Sequence, residues 1–310
     1  MSERPIPPAA WIQILALALI WGGSFPGNRI AVAAFGVAPT VALRVGLGAL
    51  VMWSVVVARG LPVPRRWQAW AMFVVMGAMN TAVPFALIVW GQTRIDSGLA
   101  AILNASTAIL GVAVAAIAFR DERLGLRKAA GVGLGFAGVA TVIGLHRLAA
   151  LDPASVGQLA VLGAALSYAF AGVVARIGAT GCAPEVAAAG MLSGATLVVA
   201  PFALASGVDL GAAAPRDWAA IAYLSTTATG LAYLLYFRLI ALAGAGNTSL
   251  VTLLVAPVAI LMGALMFGET LPLRAWAGFC LIAAGLAVID GRLVAGRGRD
   301  KPRDAVRPAR

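Results

Sequence analysis

Apolar residues run in long blocks along this chain, and the charged residues fall between the blocks. Stretches 45–58, 97–119 and 186–208 contain no Asp, Glu, Lys or Arg. The hydrocarbon of a bilayer is about 30 Å thick and takes about 20 apolar residues in a helix to cross. Inside it every backbone N–H and C=O must be paired within the segment, so blocks of this size read as helices. The pattern predicts ten spans, near 9–31, 39–58, 67–90, 97–118, 127–145, 156–177, 184–205, 217–238, 246–267 and 272–290, joined by short connections. Residues 292–310 are polar, basic and Pro-containing, and are expected to form a disordered cytoplasmic tail.

Composition excludes a soluble domain. The chain is 61% hydrophobic and 11% charged, against about 25% charged for soluble proteins. One globular core cannot hide that much apolar surface. The net charge of +11 would suggest nucleic acid in a soluble chain, but here it sits in loops and tail, without aromatic or Gly-rich recognition motifs. We read it as topogenic, with no nucleic-acid partner. With a cytoplasmic N-terminus and ten crossings, 17 Lys and Arg fall on the inner face and five on the outer, with Arg44 inside the second span. That asymmetry follows the positive-inside rule and puts both termini in the cytoplasm. Most tryptophans fall near span ends as an aromatic belt, whereas Trp21 lies near mid-span. The first apolar run is too long for a signal peptide and is read as a retained helix. Cys182 and Cys280 suggest neither a disulfide framework nor a metal site, and no cofactor is expected.

The chain repeats itself at an offset of 147. Residues 122–144 match 269–291 at 11 of 23 positions without a gap, pairing Glu122 with Glu269 and Arg127 with Arg274. The same offset pairs Arg29 with Arg176 and Trp21 with Tyr168. Residues 1–146 and 147–291 are therefore read as two five-helix repeats. Five is odd, so the second copy enters from the opposite face. The expected fold is an all-α integral membrane protein of ten transmembrane helices in two inverted repeats. That architecture belongs to secondary transporters, with the substrate near the midplane at the repeat interface.

Four motifs resemble the drug/metabolite transporter superfamily, specifically its EamA-type ten-helix permeases. They are Trp21-Gly-Gly-Ser-Phe-Pro-Gly-Asn-Arg29 in helix 1, Pro39 with Ala42-Leu-Arg44 in helix 2, Leu99 through Leu124 across helix 4, and Val251 through Leu271 with Pro257 and Gly268-Glu-Thr-Leu across helix 9. The resemblance covers nearly the whole chain. It implies a bacterial-type inner-membrane permease exporting amino acids or related metabolites. Two departures stand out. Helix 4 carries Asn104-Ala-Ser-Thr107 where the family has a proline, which puts the local bend in doubt, and Asp121 replaces the glycine before Glu122.

Candidate substrate contacts are polar or aromatic residues at mid-span. Arg44 is costly inside a bilayer. It reads either as a countercharge for a substrate carboxylate or as a structural arginine that caps carbonyls or closes the outer gate, and depth alone favours the structural role. Asn80 and Thr81 adjoin Pro84, whose missing N–H frees the Asn80 carbonyl. Asn104, with Ser106 and Thr107, forms a second polar group, and Asn28 precedes Arg29 in the helix 1 signature. Trp21 and Tyr168 are expected to face each other across the pseudo-two-fold axis, as a cage for an organic solute. Thr227, within Ser225–Thr229, and Tyr233 add polar tips from helix 8, with Tyr236 a weaker candidate. Glu122 and Glu269 are expected at opposite faces, pairing with arginines at helix ends. No Asp or Glu falls at mid-depth, which suggests facilitated diffusion or exchange rather than proton coupling. The partners expected are a small-molecule solute and the lipid bilayer, with no oligomer required. A carboxylate exchanger is the alternative transport reading. A membrane-embedded enzyme would need a ligand or nucleophile cluster that the sequence does not display, and a non-transporting scaffold is the remaining rival.

Overall fold

The computed structural model describes residues 7–119, 125–143, 153–177, 181–243 and 250–290. The expectations for Glu122, His146 and the 292–310 tail lie outside the described residues. Among these residues the chain forms ten helices, one short 3-10 turn and no strand. The helices are α1 (Pro8–Phe35), α2 (Val37–Ala58), α3 (Trp67–Gly91), α4 (Ser97–Ala118), α5 (Leu126–Ile143), α6 (Pro153–Ile177), α7 (Pro184–Ala205), α8 (Pro215–Leu242), α9 (Leu250–Phe267) and α10 (Leu273–Asp290). Seven are long and apolar enough to cross a membrane by length and composition, and α9 and α10 contribute shorter apolar helices. Large apolar side chains such as Leu19, Leu50, Leu204, Leu265 and Ile117 point outward, the last 87% exposed. Water would not tolerate so continuous an apolar surface; lipid does.

Local chemistry sets the helix ends. Pro8, Pro184 and Pro215 begin their helices, where a missing N–H removes no intrahelical bond. Gly36 alone joins α1 to α2, at φ 75°, a left-handed conformation that glycine adopts without Cβ strain. Successive helices alternate in direction. Odd-numbered helices end at the face that carries Arg29, and even-numbered helices end at the face that carries Arg59, where Arg59 pairs with Glu185 of α7 at 2.8 Å.

Packing repeats the internal symmetry. Shifting by 147 carries the α1–α9 contact onto α6–α4 and α3–α7 onto α8–α2, while α2–α7 and α5–α10 map onto themselves. At the last crossing, Gly131 lies against Gly285 and Gly138 against Gly278, and the shift exchanges these two contacts. A contact that maps onto itself in this way defines a two-fold axis. The glycines are required there: a Cβ on Gly138 would stand 2.8 Å from the Gly278 carbonyl oxygen. The fold is thus an all-helical, ten-span membrane architecture of two inverted five-helix repeats.

Candidate substrate cavity

A cavity of about 470 Å³ lies between the repeats, lined among the described residues by twenty from α1, α2, α3, α4, α6, α8 and α9. Helix α1 presents Trp21, Ser24, Phe25 and Asn28 to it, spaced i, i+3, i+4, i+7 on one helical face. The glycines between them seat the helix. A Cβ on Gly22 would strike Val258 of α9 at 2.5 Å, and one on Gly23 would strike the Tyr223 hydroxyl of α8 at 2.5 Å. The signature therefore wedges α1 between α8 and α9 and turns its polar and aromatic side toward the cavity. Helix α6 presents Tyr168, Ala171, Gly172 and Ala175, the same four positions shifted by 147.

Helices α3 and α8 are each interrupted by a π-helical stretch, Ala78–Ala82 and Tyr223–Leu231. In α3 the cause is visible in the sequence: Pro84 cannot donate, and the Val83 N–H bonds five residues back, to the Ala78 carbonyl. In α8 no proline is present. Hydroxyls accompany the wider turn instead, with Thr229 Oγ1 donating to the Leu224 carbonyl at 2.8 Å and Ser225 Oγ to that of Ile221 at 2.8 Å. Helix α4 breaks between Asn104 and Thr107 although it lacks the family's proline. Here Ser106 Oγ donates to the Leu103 carbonyl at 2.6 Å and Thr107 Oγ1 to the Asn104 carbonyl at 2.7 Å. Serine and threonine hydroxyls bond locally to the backbone and so compete with the helical ladder. Helix α9, which does hold Pro257, runs unbroken from Leu250 to Phe267.

Arg44 forms the polar wall of the cavity and is 4% exposed. Its Nε donates to Thr229 Oγ1 at 3.1 Å, its Nη1 donates to Asn28 Oδ1 at 3.2 Å, and its guanidinium lies 3.9 Å from the Phe85 ring centroid. Its side chain bonds to side chains rather than to helix carbonyls. Among the described residues it has no carboxylate partner. The aromatic wall is Trp21, Tyr168, Tyr233 and Tyr236. Trp21 Nε1 donates to the Ala228 carbonyl at 3.2 Å, and its ring lies 5.7 Å from that of Tyr236.

Of the sequence candidates, Trp21, Asn28, Arg44, Asn80, Asn104, Thr107, Tyr168 and Tyr233 come together around this one cavity. Thr81 and Thr227 do not line it. Thr81 follows Asn80 by about 100° of helix and is fully buried in the packing. Thr227 is displaced because Ala228 holds the lining position on α8, leaving the Thr227 hydroxyl 3.5 Å from that of Thr226. The Trp21 ring contacts that of Tyr236, and Tyr168, its repeat counterpart, lines the same cavity. Ser24 and Phe25 were missed, although helical spacing from Trp21 points to both.

The cavity is closed toward the Arg29 face. Arg29 is ion-paired with Glu269 and lies 3.6 Å from Asp96. Both Glu269 oxygens accept from the start of α4, from Ser97 N at 3.1 Å and Gly98 N at 3.2 Å. The exposed part of the lining, Gly172 and Ala175, lies near the end of α6, toward the Arg59 face. Burial and the Glu269 charge raise the Asp96 pKa, against the pull of Arg29.

Comparison with known proteins agrees with this architecture. The family described as EamA-like transporter family matches twice, over residues 9–144 and 155–290. A probable terminal-alkyne amino-acid exporter of Streptantibioticus cattleyicolor is 26% identical over 294 residues, covering 94% of this chain and 96% of that protein. A crystal structure described only as that of a protein superposes with a TM-score of 0.65, covering 93% of this chain and 99% of its own, at 19% identity. At that identity the likeness concerns the fold.

Proposed function

The chain belongs to the EamA-like transporter family, and from that premise we propose that it exports small α-amino acids or closely related metabolites by alternating access, holding the substrate carboxylate at Arg44. The observation that carries this reading is the guanidinium itself: 4% exposed, in the cavity wall, and, among the described residues, bonded to neutral groups. A buried charge is stable when paired, and a substrate carboxylate supplies the pair. A cavity of about 470 Å³ falls in the range that small-molecule sites occupy. Trp21 and the three tyrosines suit an apolar or unsaturated side chain. The relative's description as an amino-acid exporter supports the same class. With the Arg59 face cytoplasmic, the orientation that the positive-inside rule favours, the cavity faces the cytoplasm, the side from which an exporter loads.

A second reading has one observation in its favour. Among the described residues, no acidic side chain lines the cavity to receive an ammonium group. That suits exchange of amine-free carboxylates. Thermal stabilisation of the purified protein separates the two. L-Propargylglycine is expected to raise the melting temperature while 4-pentynoate, its amine-free counterpart, does not. Arg44→Met is expected to weaken the response about 10-fold or more, the worth of a charge-assisted hydrogen bond. Equal stabilisation by 4-pentynoate would favour the exchanger. An unchanged response in a folded Arg44→Met variant would remove Arg44 from the site.

A further inference from the structure

A continuous run of hydrogen bonds leaves the cavity at Arg44 and ends at the ion cluster on the Arg29 face. Arg44 Nη1 donates to Asn28 Oδ1 at 3.2 Å, and Asn28 Nδ2 donates to Gln92 Oε1 at 3.3 Å. Gln92 Nε2 donates to the Phe25 carbonyl of α1 at 2.9 Å and lies 3.4 Å from Ser97 Oγ at the start of α4. Ser97 N and Gly98 N then donate to Glu269, which holds Arg29. Asn28, Gln92 and Ser97 are 2%, 5% and 0% exposed, so water cannot replace a broken bond in this run.

We propose that Gln92 is a positioning residue that couples the cavity to the Arg29–Glu269 latch, so that withdrawal of Arg44 from Asn28 releases the start of α4 and opens the Arg29 face. The proposal deepens the function above and rests on its placing of the substrate at Arg44. A carboxylate that draws the guanidinium toward itself weakens the bond to Asn28. The Asn28 amide then loses the contact that orients it toward Gln92, and Gln92 holds both α1, at Phe25, and α4, at Ser97. Leaving any of these buried groups unpaired is costly, so the run shifts as a unit. Among the described residues the second repeat shows no counterpart of this run. A shift of 147 places Ala175 where Asn28 stands and Leu239 where Gln92 stands, and a shift of 148 places Ile240 there. At the positions compared, the second repeat therefore carries apolar side chains where the first carries the polar relay.

A labelling cycle without substrate tests the wiring. Replace both cysteines (Cys182→Ser, Cys280→Ala), introduce Ile88→Cys in the cavity wall, and add a membrane-impermeant maleimide from the face carrying Arg29. Arg44→Met and Gln92→Leu are each expected to speed labelling about fivefold or more, within the range of allosteric couplings. Because both cut the same run, the double variant is expected to be no faster than the faster single. Multiplying effects, or a Gln92→Leu rate equal to the background, would overturn the proposal. Gln92→Asn, too short to span both partners, replaces Gln92→Leu if the latter does not fold. Adding L-propargylglycine to the background then addresses the substrate separately. If the cycle is non-additive but the amino acid leaves the rate unchanged, the wiring stands and the assigned substrate falls. Faster labelling with L-propargylglycine in the background, but not in Gln92→Leu, joins the two.

Discussion

The two repeats build one cavity from matched positions and fill those positions with different chemistry. Eighteen of the twenty lining residues form nine pairs, related by a shift of 147 between α1 and α6 and of 148 between α3 and α8 and between α4 and α9. The first repeat supplies Asn28, Asn80 and Asn104; their partners are Ala175, Ala228 and Thr252. The second repeat supplies Tyr233 and Tyr236 against Phe85 and Ile88. Only Arg44 and Met76 have no partner in the lining. The halves thus share a backbone arrangement, while the side chains that each presents to the cavity differ. Small Gly172 and Ala175 leave one end open. Phe25 and Asn28, in the matching places, close the other. Duplication preserved the positions that line the cavity and left each copy free to carry different side chains there.

The strongest test of this difference moves the charge across the axis. A shift of 147 carries Arg44 onto Met191, which is 7% exposed and accepts from Asn80 Nδ2 at 3.4 Å through its sulfur. Met191→Arg would bury a guanidinium on α7 in place of that sulfur, without the Asn28 and Thr229 acceptors that receive Arg44. An arginine at span depth costs about 3 kcal/mol on insertion scales, so Met191→Arg is expected to lose most of its folded yield, by size-exclusion profile and melting temperature. Wild-type stability in that variant would mean that the second repeat can house a charge as well as the first.

These differences show why some features were legible in the sequence and others were not. The ten spans were, because an apolar block long enough to cross a bilayer has one stable conformation there. The repeat was legible at Glu269, Gly278 and Gly285, where close packing or a helix end admits few residue types. Eight candidate contacts reached the cavity because a polar group at mid-span needs a partner or a wet surface, and the sequence displays that need directly. Thr227 failed for a geometric reason. The lining register slips by one residue between α6 and α8, and a one-residue slip turns a helical side chain by about 100°. Gln92 was invisible because its role lies in three contacts from other helices, and it sits at a span end, where polar residues are unremarkable. The α4 break was doubted for want of a proline, yet two hydroxyls accompany the same interruption.

The symmetric part of the comparison makes a milder prediction. At the α5–α10 crossing, a Cβ added to Gly138 would lie 2.8 Å from the Gly278 carbonyl oxygen, and one added to Gly278 would lie 2.6 Å from that of Gly138. Backbone cannot swing aside as a side chain can, so the helices must separate. Gly138→Ala and Gly278→Ala are each expected to cost about 1–3 kcal/mol, the usual penalty for overpacking, and to lower the melting temperature by similar amounts. A large inequality between the two would show that the halves are not interchangeable even where their backbones meet.

The smallest effect concerns the acid cluster at the closed end. The Asp96 pKa is raised by burial and by Glu269, despite Arg29. An exposed aspartate titrates near 3.9, so the closed latch binds the Asp96 proton more tightly than an opened, hydrated one does. By linkage, Asp96 contributes most to closure below the ordinary aspartate value, and that contribution fades as pH rises through the raised value. The side chain is 46% exposed and solvent screens it, so the shift in population is expected to be modest. Spin labels at the exposed positions Thr93 and Thr270 would report the separation across the Arg29 face. Their distance distribution is expected to gain a longer component as pH rises from about 4, and Asp96→Asn, neutral throughout, is expected to lose that part of the response and stay nearer the closed distance. If Asp96→Asn keeps the full pH dependence, Asp96 is not the group through which pH acts on this face.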